Sequence, residues 1–149
     1  MSDADIVRFD VPGAPKASGP YVHALRAAGV IFCAGQGSKD PATGIEAGLV
    51  TDDAGTVISY DIDAQARGCF RNLQTVLEAA GSSLSRVVEV NVYLKDMDDF
   101  AAMNTVFGEV FGDEQPVRTT IGVADLPGNN FIELRAVAIP GPDSTGDVP

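Results

Sequence analysis

Arg118 stands in the stretch QPVRTTIGV, between a proline and two threonines, where an apolar run begins. It is one of only 10 Lys plus Arg in a chain with 21 Asp plus Glu. A guanidinium at a strand mouth can grip a carboxylate through two parallel hydrogen bonds, more strongly once water is excluded. The alternative is a surface ion pair worth ~0–1 kcal/mol. Glu133, in NFIELRAVAIP, is a carboxylate among apolar neighbours. It either positions or deprotonates a water or pairs with Arg135, two residues on. If the last two strands pair around the LPGNN turn, Glu133 lies near the Arg118 strand. Tyr21, in GPYVHA, offers a phenol for stacking or hydrogen bonding, or is an amphipathic strand-edge residue. His23 alternates with Tyr21 on the same expected strand face. A lone histidine is structural unless it joins that group. Asn104 interrupts the apolar face of a helix and serves either the backbone nearby or the same site.

Other chemistries lack their residues. Cys33 and Cys69 are 36 positions apart, and with one histidine, His23, they complete no zinc site; both read as small core residues. The GQG of CAGQGSKD lacks a third glycine and runs into a loop, so it is no dinucleotide fingerprint. No G-x-S-x-G, H-E-x-x-H or EF-hand pattern occurs. A net charge of −11 with scattered basic residues argues against nucleic acid. No apolar run approaches the ~18–20 residues that cross a bilayer. The acidic N-terminus lacks a signal pattern, so the expected location is cytoplasmic, away from membranes.

The elements that must position these residues are visible as periodicities. Two short strands, 21–26 and 30–34, flank an AAG turn. A Gly-, Asp- and Thr-rich loop over 36–60 holds a possible small hairpin around DDAG. Ile62, Ala66, Cys69, Leu73, Val76 and Ala80 form one helical stripe that ends at Gly81. Val88, Val90, Val92 and Leu94 alternate with Glu89, Asn91 and Tyr93, as in a half-buried strand. A second helix has Asp96, Asp98 and Asp99 near its N-terminal end and Phe100, Met103, Phe107 and Val110 as its buried stripe. Strands over 118–123 and 130–139 follow. The order β-β-loop-α-β-α-β-β predicts an α+β fold, a mixed sheet with two helices on one face. The uncovered face is then covered by other subunits. We expect an irregular N-terminal arm over 1–18, one domain over 19–140 and a flexible tail over 141–149.

The stretches GPYVHALRAAGVIFCAGQ, NLQTVLEAAGSSLSRVVEVNVYLKDMDDF, QPVRTT and FIELRAVAIP together resemble the Rid family, the YjgF-type imine and enamine deaminases. The resemblance runs from about residue 19 to 139. It implies a chorismate-mutase-like fold and a homotrimer with sites in clefts between subunits. It implies a substrate carboxylate held by Arg118, and a water handled by Glu133. Tyr21, Asn104 and Gly35 fall on further substrate-binding positions, and neither metal nor organic cofactor is required. Thr120 stands where the deaminases often have cysteine, Ala34 where they have serine, and His23 where glutamine is common. RTT, the histidine and a longer loop over 44–61 are similar to the 2-aminomuconate deaminases, although their histidine-rich segment is replaced by LPGNN. The implied partner is a small carboxylate-bearing imine or enamine. A non-catalytic metabolite-binding or chaperone-like trimer would use the same cleft but would need only Arg118, and RNA cleavage conflicts with the acidic charge.

Overall fold

A computed structural model describes residues 5–142. Along them run β1 (Ile6–Phe9), β2 (Ala24–Ala27), β3 (Val30–Cys33), β4 (Leu49–Thr51) and β5 (Val57–Tyr60). The chain continues with α1 (Ile62–Ala79), β6 (Val87–Leu94), α2 (Phe100–Phe111), β7 (Val117–Gly122) and β8 (Ile132–Ala138). Six strands form one sheet in the order β1-β2-β3-β8-β6-β7. Neighbours are antiparallel except β6 and β7, which run parallel through the α2 crossover. β4 and β5 pair separately as the hairpin anticipated within the long loop.

The core lies between the helices and one face of this sheet. From α1, Ala66, Cys69, Leu73 and Val76 are wholly buried, as their spacing requires. From β6 and β8, Val90, Val92, Leu94, Ile132 and Leu134 meet them. Each such side chain contributes about 1.5–3 kcal/mol on burial. Phe70 of α1 packs edge-on against Phe107 and Phe111 of α2, with ring centroids 6.0 and 5.6 Å apart. Cys33 and Cys69 are buried, and burial pushes the Cys33 thiol up to about 12 and Cys69 higher still. Neither supplies a thiolate. The opposite face carries no helix among the described residues and exposes Phe32 and Ile121.

Several expectations need correction. The N-terminal arm is not irregular throughout: Ile6–Phe9 pairs with β2 before Pro12 and Pro15 break the chain. The tail lies outside the described residues beyond 142. The strand expected at 21–26 begins only at Ala24, so Tyr21 and His23 precede it on a loop. In β6 a bulge between Val87 and Glu89 buries Val87 and exposes Val88. The α2 stripe is rotated: Met103, Val106, Phe107 and Phe111 are buried, while Phe100 sits at the rim. Asp96 accepts from Asp98 N in the turn before α2, and Asp99 accepts from the Tyr60 hydroxyl. Most consequentially, β7 and β8 do not pair. β6 lies between them, because the parallel β6–α2–β7 crossover carries β7 to the sheet edge.

Candidate active site

The register separates the two charged residues that the sequence singled out. Glu133 is opposite Tyr93 of β6, and Arg118 is opposite Val90. Positions 90 and 93 are three apart, so their partners point to opposite faces of the sheet. Glu133 therefore lies on the helix-free face and Arg118 on the helix side. Two strand spacings, roughly 10 Å, add to the separation. The expected approach of Glu133 to the Arg118 strand does not occur within one chain.

Around Glu133 lies a cavity of about 460 Å³, within the usual size of a small-molecule site. Tyr21, His23, Gly35 and Glu133 all line it, so the structure gathers four of the predicted residues. Among the described residues no cation pairs with the Glu133 carboxylate, and the alternative bond to Arg135 is not made. Burial raises its pKa above the ordinary carboxylate range. Gly35 explains how the carboxylate fits: a Cβ there would lie 2.7 Å from Glu133 Oε2 and 3.0 Å from Cδ. Residue 35 is held in place by paired bonds between Gln36 and Leu134, each 2.7–3.0 Å.

Tyr21 is half exposed, and its hydroxyl accepts from Ser18 N at 3.2 Å and lies 3.1 Å from Ser18 Oγ. His23 is buried and committed. Its Nδ1 accepts from Val11 N at 3.0 Å, and Nε2 donates to Pro15 O at 2.8 Å. With Nδ1 an acceptor, Asp10 Oδ1 at 3.3 Å is a neighbour rather than a bonded partner. His23 thus staples the arm that forms one cavity wall, and neither ring nitrogen is available for proton transfer.

A buried polar network fixes the opposite wall. Gln65 of α1 donates to Asn129 O at 3.1 Å and accepts from Phe131 N at 2.7 Å. Asn72, seven residues on, donates to Gly37 O and Lys39 O. Asn130 Oδ1 accepts from both Ser38 N and Ser38 Oγ. Glu46, from the long loop, accepts from Asn129 N at 3.1 Å. Glu46, Asn130, Lys16 and Lys39 line the cavity and were not anticipated from the sequence. The available signal was Gln65 and Asn72, one heptad apart inside the apolar face of α1.

The second group surrounds Arg118. Its guanidinium lies over the rings of Phe107 and Phe100, 4.7 and 5.5 Å from the centroids, with Nη1 3.8 Å from Met103 Sδ. Among the described residues no carboxylate is within ion-pair distance, so the surface-pair alternative is not realised. The aromatic floor holds the planar fork while leaving its donors for a ligand. Asn104 falls on the same α2 stripe as Phe100 and Phe107 by its i+4, i+7 spacing. Thr120 shares the Arg118 face of β7, and its hydroxyl is buried without a partner among the described residues. One chain thus carries two incomplete groups: a carboxylate cavity and, behind the sheet, an anion-gripping edge.

Comparison with known proteins agrees with the fold. The model of a family described as Endoribonuclease L-PSP matches residues 12–140. A RutC family protein of Pyrococcus horikoshii is 43% identical, covering 84% of this chain and 90% of its own. A 2-iminobutanoate/2-iminopropanoate deaminase of Dermatophagoides farinae is 31% identical, covering 88% and 94%. The crystal structure of the YjgF gene product of E. coli superposes with a TM-score of 0.76 at 31% identity, covering 89% and 98%.

Proposed function

We propose an activity from one premise: this chain belongs to the Rid (YjgF) family, the family described as Endoribonuclease L-PSP. The activity is hydrolytic deamination of an imine or enamine that bears a carboxylate, releasing ammonia and a keto product. Short 2-imino acids and 2-aminomuconate are the candidate substrates. The observation that carries this reading is Glu133, an unpaired carboxylate with raised pKa at the wall of a cavity. A pure binder of carboxylates has no use for a second carboxylate there, which disfavours the non-catalytic alternative.

The site is proposed to form between copies in a homotrimer. Arg118 of one copy, with Asn104 and Thr120 beside it, meets the Glu133 cavity of the next. The exposed apolar face of the sheet supports such an assembly. In the composite cleft, Arg118 anchors the substrate carboxylate, while Tyr21 and the backbone at Gly35 border the reacting carbon. Glu133 takes a proton from water as oxygen attacks the C=N carbon, and the nitrogen gains a proton. Collapse of that carbinolamine breaks the C–N bond and expels ammonia. An enamine first takes a proton on carbon to become the imine. Burial raises the Glu133 pKa, which makes the carboxylate a better proton acceptor than an exposed one and lets it return that proton to the departing nitrogen. Imines hydrolyse in water unaided, so orientation and water delivery suffice, and the chemistry asks for no cofactor.

The family's description names a ribonuclease. A net charge of −11 opposes the phosphate backbone, and we do not adopt that reading. No helix among the described residues is long and apolar enough to cross a membrane; a cytoplasmic location is part of the proposal. The test is keto-acid formation from short imino acids generated in situ by an amino-acid dehydratase or oxidase, with 2-aminomuconate in parallel. Acceleration lost in Arg118→Ala supports the proposal, and no acceleration of any of them overturns it.

A further inference from the structure

The chain has three lysines, Lys16, Lys39 and Lys95. Lys95 is engaged, 3.2 Å from Asp125 Oδ1 and over the Phe131 ring. The other two line the Glu133 cavity, and among the described residues neither has a carboxylate within ion-pair distance. In a chain with 21 acidic residues, unpaired ammonium groups beside a cavity are an uneven placement. Both are also held from within. Lys39 O accepts from Asn72 Nδ2 at 2.8 Å, and Pro15 O, next to Lys16, accepts from His23 Nε2 at 2.8 Å. Buried side chains thus fix the backbone around both lysines at the cavity wall. Glu46 and Glu133 face the same space, Glu46 already accepting from Asn129 N.

From this we infer that Lys16 and Lys39 form a second anion-binding position, so that the preferred substrate carries two anionic groups, one at each end. The inference rests on the proposed deaminase reading, in which Arg118 of another copy holds the first carboxylate. Charge agrees. A dianion approaching a protein of net charge −11 is repelled overall and needs local cations where it binds.

Calorimetry with unreactive probes separates this inference from the reading beneath it. Adipate and hexanoate share a six-carbon chain and differ in the second carboxylate; 6-phosphonohexanoate tells whether that second group is better as a phosphonate. The expected result is a distally charged probe binding at least tenfold tighter than hexanoate. Lys16→Met with Lys39→Met should bring the ratio close to one, and Lys16→Arg with Lys39→Arg should preserve it. A wild-type protein that does not favour a second charge, or a preference that survives the methionine changes, overturns the assignment. Arg118→Ala should weaken all probes together. If it weakens none, the underlying reading fails separately.

Discussion

Gly35→Ala places one methyl group where the structure leaves no room for it. The new Cβ would lie 2.7 Å from Glu133 Oε2 and 3.0 Å from Cδ. Carbon atoms at ease stand about 3.5–4.0 Å apart, so the carboxyl must withdraw by about 1 Å. The glycine has no left-handed backbone angle to lose, so the substitution acts through the contact alone. Glu133 is long and its end is flexible. An off-rotamer side chain costs of order 0.5–1.5 kcal/mol, and the variant should remain folded with a melting temperature a few degrees lower at most. Catalysis should suffer far more, since a misplacement of ~1 Å in a catalytic group costs on the order of 100-fold. The coupled keto-acid assay should show that loss in kcat with KM changed little, because the carboxylate grip at Arg118 is untouched. Wild-type kcat in a folded Gly35→Ala variant would refute the assignment of Glu133 to the reacting centre.

Three further outcomes are expected. Arg118→Ala should raise KM and lower kcat/KM at least about thirtyfold, corresponding to ~2 kcal/mol or more for losing one side of a desolvated charge pair. Arg118→Lys should fall between, keeping the charge but not the fork; equal activity in both would refute bidentate anchoring. For Glu133, burial raises the folded pKa, so the folded state binds more protons than the unfolded across the window between the two values. Stability therefore falls as pH rises from the ordinary carboxylate range through the folded value. Glu133→Gln should melt higher than wild type at pH 7, lose that pH dependence and lose activity. The wild-type acid limb of kcat/KM should sit above ordinary carboxylate pKa values, and a limb inside that range would contradict the assignment. Thr120→Val removes a buried hydroxyl that has no partner among the described residues. It should stabilise by about 1 kcal/mol in thermal melts while lowering kcat/KM several-fold. Unchanged activity would remove Thr120 from the site.

The sequence made legible whatever had a period. The α1 stripe from Ile62 to Ala80 and the alternation from Val90 to Leu94 located the buried faces correctly. β1 was obscured because four residues pair at the sheet edge just before a Gly- and Pro-rich stretch. The pairing of β7 with β8 was the natural reading of two strands joined by a short linker. It is wrong because strand order depends on where α2 packs, a tertiary fact with no local signature. The same fact put Arg118 and Glu133 on opposite faces. Residue types and the resemblance pointed to Glu133, Gly35 and Tyr21. Lys16, Lys39 and Glu46 come from aperiodic loops, whose placement depends on the polar clamps of Gln65 and Asn72.

The central claim is a site shared between copies, with Arg118 from one and Glu133 from another. Arg118→Ala and Glu133→Gln proteins, each strongly impaired alone, can be co-expressed with distinct tags and purified as mixed oligomers. In a cyclic trimer that holds both variants, about one cleft in three joins an intact Arg118 to an intact Glu133. The account predicts roughly a third of wild-type imine hydrolysis per cleft from the mixed trimers. Activity no higher than that of the parent variants, in oligomers shown to be mixed, would contradict it.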